Sequence, residues 1–228
     1  MMRIKFTLLL FFTSMIVGEL TMAQDWANMD RFKAENSKLG EPVSGEKRIV
    51  FMGNSITEGW GQKYPEFFSK KEYVNRGISG QTTPQMLVRF RADVINLHPD
   101  AVVILAGTND IAGNTGPMTL EMIEDNIMSM VDLAKANQIK VVLCSILPAY
   151  DYPWKPKTFP AKKIVTLNSW IRKYSEVNGL VYLDYFSALV DNRQGLKKEY
   201  TIDGVHPNRE GYLIMAPLAI EAIEKVLK

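Results

Sequence analysis

Short apolar runs alternate along the chain with longer segments whose apolar residues recur at helical spacing. Five of these runs predict β-strands, at residues 48–52, 72–75, 101–105, 140–146 and 180–183. Helices are predicted around and between them, at residues 25–39, from Pro65, at 83–97, 119–137 and 161–176, and after Asn208. The regular alternation of strand and helix predicts an α/β fold with a doubly wound parallel sheet.

The run at residues 101–105 is Ala-Val-Val-Ile-Leu, which contains no polar side chain. A strand this apolar is typical of the centre of a parallel sheet, where helices cover both faces. Five strands in this rhythm predict the flavodoxin-like order 2-1-3-4-5, which places strands one and three side by side. The connections of these two strands then leave toward opposite faces. Ligands bind at such a point, beyond the carboxyl ends of the strands.

Composition sets the number of domains and excludes some partners. The 228 residues are enough for one α/β domain with its own core, which we assign to residues 24–228. The formal net charge is +2 and no basic stripe is present, so nucleic acid is not an expected partner. The single cysteine, Cys144, cannot form an intrachain disulfide, and its apolar neighbours predict a buried small residue rather than a catalytic thiol.

The N-terminal residues have the pattern of an export signal. Arg3 and Lys5 precede an apolar run at residues 6–17, and small residues follow up to Ala23. This predicts a secretory signal peptide over residues 1–23. The apolar run is short for a membrane span, and a retained membrane anchor is the alternative. We therefore expect an exported protein, periplasmic or extracellular, with no stable membrane span after cleavage.

Ser55 follows the first predicted strand, in the segment Gly53-Asn54-Ser55-Ile56. The glycine permits a sharp turn, and the small or polar neighbours leave the hydroxyl accessible above the edge of the sheet. A serine in this position could be an activated nucleophile. The alternative interpretation is that Ser55 caps the helix that follows.

A serine nucleophile needs a base, usually a histidine that a carboxylate orients. The chain has two histidines. His98 precedes the third strand, at the opposite end of the sheet from Ser55, so elimination selects His206, in a loop after the last strand. Asp203 lies three residues earlier and can reach the second ring nitrogen of His206. The alternative for Asp203 is an ordinary turn in which its side chain bonds its own backbone.

Acyl transfer also needs hydrogen-bond donors for the oxyanion. Three candidates follow the first three strands: the N–H of Ser55, the N–H of Gly80 and the side-chain amide of Asn109. Glycine lets the backbone approach a substrate closely, and asparagine donates without changing charge. Gly80 and Asn109 also have structural alternatives, a tight turn for the first and a hydrogen bond within its own loop for the second.

Four short segments occur in order along the chain: Gly53-Asn54-Ser55, Gly80, Gly107-Thr108-Asn109-Asp110 and Asp203-Gly204-Val205-His206-Pro207. Together they resemble the four sequence blocks of the SGNH/GDSL hydrolases. The resemblance implies a three-layer α/β/α sandwich and a serine esterase mechanism without a metal or another cofactor. By position it implies these roles: Ser55 as nucleophile, His206 as base, Asp203 as its partner, and Gly80 and Asn109 as oxyanion donors with Ser55.

The first block departs from the commonest family form at one residue. Asn54 stands where that form has aspartate, which keeps the shape of the side chain and removes a charge. The form Gly-Asn-Ser-Ile-Thr resembles the branch that contains platelet-activating-factor acetylhydrolase-like proteins and esterases that deacetylate sugars.

Aromatic residues near the site suggest a substrate. Tyr152 and Trp154, in the loop after the fourth strand, and Trp60, near Ser55, are candidates for a substrate-binding rim that stacks on a sugar. The alternative is that the loop is a packed lid. We expect an exported esterase that removes short acyl groups such as acetyl from a small-molecule or carbohydrate ester. The alternatives are a lysophospholipase or thioesterase, and a non-catalytic carbohydrate-binding module on the same fold.

Overall fold

The predicted strands form one five-stranded parallel sheet in the computed structural model, which describes residues 25–69 and 72–228. The strands are β1 Ile49–Gly53, β2 Tyr73–Gly77, β3 Ala101–Leu105, β4 Lys140–Cys144 and β5 Val181–Leu183. Their order, β2-β1-β3-β4-β5, confirms the predicted α/β fold and the predicted strand order. The predicted signal peptide, residues 1–23, lies outside the described residues.

The helices follow the predicted segments, with three short additions. The α-helices are α1 Lys33–Leu39, α2 Ser55–Lys63, α3 Thr83–Asp93, α4 Thr108–Ala112, α5 Leu120–Ala136, α6 Ala161–Val177, α7 Tyr185–Leu189 and α8 Arg209–Leu227. Short 3₁₀ turns cover Pro65–Phe68, Ile95–Leu97 and Lys198–Tyr200. None of the helices in the described ranges is long and apolar enough to cross a membrane.

The differences from the predicted helices have local causes. Helix α1 begins at Lys33 rather than at residue 25, because the preceding residues form turns and Asn28 has a left-handed φ of 55°. Helices α2, α4 and α7 were not predicted as elements. Each begins within three residues of the end of a strand and is too short, or too rich in glycine, to show a helical apolar pattern.

Helices cover both faces of the sheet, so the molecule has the three layers that the resemblance implies. Every residue of β1 is buried, and its side chains alternate between two cores. Val50 and Met52 pack with α3, α5 and α6. Ile49 and Phe51 pack with α2, α7 and α8 on the other face. This two-sided burial explains why β1 and β3 are apolar throughout.

Trp60 of α2 is a core residue and not part of a substrate rim. Only 2% of it is exposed. Its ring stacks on Phe67 at 4.4 Å and on Tyr212 at 5.4 Å, and it meets Phe51 edge-on at 5.9 Å between centroids. The prediction of Trp60 as a rim residue is therefore wrong, because this face of α2 packs against β1 and α8.

The first three strands in the sheet end level with one another. Gly53 of β1 pairs with Gly77 of β2 and with Leu105 of β3. The segments that follow these strands therefore meet at one edge. A Cβ atom added at Gly77 would lie 2.1 Å from the backbone nitrogen of Glu58 and 2.8 Å from the carbonyl oxygen of Asn54. Only glycine thus lets the first turn of α2 lie this close to the end of β2.

A buried cation holds these strand ends together. Arg89 of α3 is 0% exposed, and its Nη2 donates to the carbonyl oxygens of Gly53 at 3.0 Å and Arg76 at 2.9 Å. Its Nε donates to Gln81 Oε1 at 2.5 Å, and its Nη1 donates to Asp93 Oδ2 at 3.0 Å. Burial lowers the pKa of Arg89 to about 10, with Asp93 opposing the shift, so the guanidinium is charged at neutral pH.

We expect Arg89→Met to destabilise the protein by about 3–5 kcal/mol, because it leaves carbonyl groups and the Asp93 carboxylate buried without their cation. Arg91→Met is the matched control, since Arg91 is exposed on the same helix, and it should change the free energy of unfolding by no more than about 0.5 kcal/mol. Urea unfolding would measure both. Equal small losses in the two variants would contradict the role assigned to Arg89.

Candidate active site

Ser55 is the first residue of α2, directly beyond the end of β1. The helix is capped by Asn54, whose Oδ1 accepts a hydrogen bond from the N–H of Ile56 at 3.0 Å. The interpretation of Ser55 as the cap is therefore wrong, and its hydroxyl is available for other contacts. The first N–H groups of a helix have no acceptor within the helix. The Ser55 N–H is thus a donor at the positive end of the α2 dipole.

The hydroxyl of Ser55, the imidazole of His206 and the carboxylate of Asp203 are joined by hydrogen bonds. Ser55 Oγ lies 2.9 Å from His206 Nε2. His206 Nδ1 lies 2.7 Å from Asp203 Oδ2. Because a carboxylate only accepts, Nδ1 is the protonated nitrogen, and Nε2 is left to accept the hydroxyl proton. The three residues predicted to act together therefore lie in one chain of hydrogen bonds.

The loop before α8 fixes the carboxylate. Asp203 Oδ1 accepts from the N–H groups of Val205 at 3.0 Å and His206 at 2.8 Å. The turn considered as the alternative interpretation of Asp203 is therefore also present. One oxygen of Asp203 holds the turn, and the other faces the imidazole. Partial burial disfavours ionisation, but the backbone N–H and the imidazole of His206, with the Val205 N–H, hold the pKa of Asp203 below its usual range.

Thr201 closes the same loop and was not predicted from the sequence. Its hydroxyl donates to the carbonyl oxygen of His206 at 2.8 Å and accepts from the N–H of Gly204 at 2.9 Å. Gly204 has a positive φ of 88°, which the turn requires. A threonine two residues before a turn-forming aspartate is too common a pattern to have been singled out.

Asn109 lies in α4, directly above the end of β3, and is buried. Its Nδ2 donates one hydrogen to the carbonyl oxygen of Gln81 at 2.9 Å. A side-chain amide has two hydrogens, so one remains for a ligand. Gly80 precedes Gln81, with a positive φ of 77°. The Gln81 carbonyl therefore orients the Asn109 amide beside the loop that contains Gly80.

Asn114 links two of the three candidate oxyanion donors, Gly80 and Asn109, to Trp154 in the loop after β4, and no sequence pattern had singled it out. Its Nδ2 donates to the carbonyl oxygen of Gly80 at 3.1 Å. Its backbone N–H donates to the carbonyl oxygen of Asn109 at 3.0 Å. Its Oδ1 accepts from the indole Nε1 of Trp154 at 3.3 Å. These contacts connect residues from three different loops.

Asp110, the last residue of the third block, joins two helices of the fold. Its Oδ1 accepts from the N–H of Thr83 at 2.8 Å and from the Thr83 hydroxyl at 2.5 Å, which joins α4 to the start of α3. Burial raises the pKa of Asp110, and the bonds from Thr83 oppose the shift. Asp110 therefore fixes the helix that contains Asn109.

The aromatic loop divides into a buried and an exposed part. Tyr152 is 1% exposed, and its hydroxyl lies 2.9 Å from Thr108 Oγ1. The prediction of Tyr152 as a rim residue is wrong, because its ring is covered by Trp154, stacked at 5.0 Å. Trp154 is 43% exposed, and its ring centroid lies 5.8 Å from that of His206. It forms a wall beside the candidate base.

A cavity of about 260 Å³ opens at Ser55 and His206. Most of its other lining residues are polar or small: Gly59, Gln62, Lys63, Ser79, Ile202, Asp203 and Tyr212. Within the described ranges, no group of histidine, cysteine, aspartate and glutamate side chains could hold a metal ion.

Two residues that the sequence analysis set aside, His98 and Cys144, do not line this cavity. His98 is at the amino end of β3, with its Nε2 3.5 Å from Glu41 Oε1. Cys144 is buried at the end of β4, and burial raises the pKa of its thiol. Its burial confirms the prediction of a small core residue.

The chain is similar to known proteins over most of its length. Residues 51–214 match the GDSL-like lipase/acylhydrolase family. A crystal structure of a GDSL-like lipase from Bacteroides thetaiotaomicron is 51% identical, with a TM-score of 0.85 over 87% of this chain and 98% of that one. Esterase TesA of Pseudomonas aeruginosa is 28% identical over 194 residues, which are 82% of this chain and 86% of TesA. An acetylxylan esterase of Xylanibacter ruminicola is 26% identical over 221 residues, which are 80% of this chain and 44% of that protein.

We expect Asp203→Asn to lower kcat for 4-nitrophenyl acetate by about 10⁴-fold, because an amide no longer imposes the tautomer of His206 that leaves Nε2 unprotonated. Asp125→Asn, at an exposed position on α5, is the control and should keep the wild-type rate. Initial rates would be measured alongside thermal unfolding, to separate lost activity from lost fold. A loss of less than tenfold in a folded Asp203→Asn protein would contradict this arrangement.

If Asn109 is an oxyanion donor, Asn109→Ala should lower kcat by about 10²–10³-fold with a smaller change in KM, because the donor is removed while the substrate's ground-state contacts remain. Steady-state kinetics with the same aryl ester would separate the two constants. Asn137→Ala, at an exposed residue after α5, provides the control. A change confined to KM would show that Asn109 binds substrate without stabilising the transition state.

Proposed function

Because the chain belongs to the GDSL-like lipase/acylhydrolase family and is a carboxylic ester hydrolase, we propose that Ser55, His206 and Asp203 are its catalytic triad. We propose further that its substrates are short-acyl esters of carbohydrates. One observation supports the triad above all others: Ser55 Oγ is 2.9 Å from His206 Nε2, and His206 Nδ1 is 2.7 Å from Asp203. These are the contacts that a serine nucleophile, its base and the orienting carboxylate require.

In the first half of the proposed reaction, Ser55 Oγ attacks the carbonyl carbon of the ester while His206 Nε2 takes the hydroxyl proton. The Asp203 carboxylate stabilises the imidazolium that forms. The tetrahedral intermediate collapses, its bond to the alcohol oxygen breaks, and Nε2 returns the proton to the departing alcohol. The products of this half are the free alcohol and an acyl group on Ser55.

In the second half, a water molecule loses a proton to His206 Nε2 and attacks the acyl carbon. The bond from the acyl carbon to Ser55 Oγ breaks, and the proton passes from Nε2 to Oγ. The carboxylic acid leaves, and the serine hydroxyl is restored. Each half therefore uses the same nitrogen first as base and then as acid.

The negative charge of both tetrahedral intermediates is assigned to three donors: the N–H of Ser55, the N–H of Gly80 and the free amide hydrogen of Asn109. The first stands at the start of α2, where the helix dipole favours an anion. The third is held in place by the Gln81 carbonyl. Donors fixed before the reaction need no reorganisation when the charge appears, which is the main source of their effect.

The polar cavity supports a hydroxyl-rich alcohol in the substrate. Gln62, Lys63 and Ser79 line the space beside Ser55, and polar side chains of this kind can pair with hydroxyl groups. A long acyl chain would instead favour a continuous apolar lining. The relative from Xylanibacter ruminicola is an acetylxylan esterase, which agrees with an acetyl ester of a sugar. A lysophospholipase or thioesterase is the alternative within the same chemistry.

A non-catalytic carbohydrate-binding module is the alternative from another class of function. Binding alone does not require a histidine placed to accept the Ser55 proton and a carboxylate placed behind that histidine. The hydrogen bonds between these three side chains therefore favour turnover.

We also propose that the chain is exported. Residues 1–23 have the charged start, the apolar run and the small residues of a signal peptide. Cleavage would leave residues 24–228 as a single hydrolase domain. Mass spectrometry of the protein from its native host should then find Gln24 as the first residue, and an intact N-terminus would argue for a retained anchor.

Labelling with a fluorophosphonate tests the triad directly. Wild type should be labelled and should hydrolyse 4-nitrophenyl acetate, whereas Ser55→Ala should do neither, because the nucleophilic oxygen is absent. Ser129→Ala, on α5 and outside the lining of the cavity, is the matched control and should behave as wild type. A wild-type protein that neither labels nor hydrolyses any short-chain aryl ester would support the binding module.

A substrate panel tests the alcohol and acyl halves of the ester. Acetylated xylo-oligosaccharides, lysophosphatidylcholine and an acyl-coenzyme A thioester would be compared by kcat/KM. We expect the acetylated sugars to be the best substrates, and butyryl or longer aryl esters to be poorer than acetyl. A preference for the phospholipid or the thioester would overturn the carbohydrate assignment while leaving the triad intact.

A further inference from the structure

A second cavity, of about 300 Å³, adjoins the first through Asp203, which lines both. Its walls come from the loop after β4, from the loop after α7 and from the turn that contains Asp203. They include Tyr150, Pro153, Pro156, Arg193, Gly195 and Gly204. None of these residues has a role in the proposed reaction.

The lining combines flat apolar surfaces with exposed polar groups. Tyr150 is 47% exposed, and the guanidinium carbon of Arg193 lies 5.1 Å from the centroid of its ring. Pro153 and Pro156 add further apolar surface. A pyranose ring has the matching chemistry, with C–H groups on its faces and hydroxyls around its edge, whereas an acyl chain has no polar groups to pair with a polar lining.

Three charged side chains line the cavity, Asp151, Arg193 and Asp203, and each already has partners. Arg193 Nε lies 3.7 Å from Asp191 Oδ2, and Asp203 is bonded to His206. With two carboxylates and one guanidinium in its lining, the cavity offers hydrogen-bonding groups and no excess of positive charge. This favours a neutral, hydroxyl-rich ligand over an anionic headgroup.

The two loops around the cavity are held in place by carboxylates. Asp151 accepts from the N–H groups of Lys157 at 2.6 Å, Thr158 at 3.0 Å and Phe159 at 3.2 Å. Asp191 Oδ1 accepts from those of Arg193 and Gly195, each at 2.8 Å. Such loops lose little conformational freedom when a ligand binds, which removes one of the usual costs of binding.

We propose that this cavity binds a further sugar unit of the carbohydrate chain whose ester lies at Ser55. The proposal rests on the proposed function for the identity of that ester, and it adds a binding subsite with named residues. A chain that extends from the first cavity past Asp203 reaches Tyr150 and Arg193. The enzyme would then act better on an acetylated oligosaccharide than on an acetylated monosaccharide.

The test is the dependence of kcat/KM on the length of the substrate, with acetylated xylose, xylobiose and xylotetraose, and with 4-nitrophenyl acetate as a substrate that cannot reach the second cavity. In wild type, kcat/KM should rise with length. Tyr150→Ala should lower kcat/KM for the tetrasaccharide ester about tenfold, mainly through KM, and should leave the aryl ester within about twofold. Arg193→Met should also lower kcat/KM for the tetrasaccharide ester. Methionine keeps most of the apolar part of the arginine side chain, so this variant removes mainly the guanidinium.

Trp26→Ala is the control, since Trp26 is as exposed as Tyr150 and lies outside the lining of both cavities. It should keep the length dependence of wild type. The affinity of Ser55→Ala for unacetylated xylotetraose, measured by calorimetry, gives a readout independent of turnover. Adding Tyr150→Ala to that variant should weaken this binding about tenfold.

The outcomes separate the subsite from the proposed function. If wild type hydrolyses acetylated sugars with no dependence on length, or if Tyr150→Ala lowers all substrates equally, the subsite is wrong and the esterase stands. If wild type prefers a phospholipid or thioester, the carbohydrate assignment and the subsite both fail. If wild type is not labelled by fluorophosphonate and hydrolyses no ester, the proposed mechanism itself is wrong.

Discussion

The guanidinium of Arg89 is the constraint on which the site depends. It binds the last carbonyl of β1 and one near the end of β2, and it also binds the side chain of Gln81. Gln81 in turn holds the amide of Asn109 through its own carbonyl. One buried charge therefore sets the relative positions of the segments that present Ser55, Gly80 and Asn109. Burying a cation is unfavourable unless its partners are well placed, so this arrangement tolerates little displacement.

The site also depends on a division of tasks within one short turn. The two oxygens of Asp203 have different partners, the backbone on one side and the imidazole on the other. A turn and a carboxylate partner for a histidine are often treated as competing explanations of an aspartate. Here the turn is what aims the second oxygen at His206, and the Thr201 hydroxyl closes the loop behind it. His206 is brought within bonding distance of a serine 151 residues away in the chain.

Much of the fold could be predicted because parallel strands covered on both faces leave a strong apolar pattern, as at Ala101–Leu105. Their order then placed Ser55, Asn109 and Gly80 at one edge, and the chain offered a choice between only two histidines. The bonds of Arg89 to the ends of β1 and β2, and the contacts of Gln81 and Asn114, could not be predicted, because they join different elements of the fold and follow no periodic pattern. Trp60 and Tyr152 were misassigned since aromatic residues near a site can face the core or the solvent, and sequence does not distinguish these directions.

In each of three loops around the two cavities, a carboxylate holds the backbone in place, which makes these loops sensitive to acid. Asp151, Asp191 and Asp203 each accept backbone N–H groups, and these bonds help to hold all three pKa values below the usual range, although burial opposes the shift at each of them. Stabilisation from such groups is complete above the ordinary carboxyl pKa and disappears as pH falls through the lowered values. The apolar sheet has no comparable dependence. Protonation of these three carboxylates would therefore loosen the loops around the two cavities, and acid should weaken substrate binding at a pH where the secondary structure is still intact.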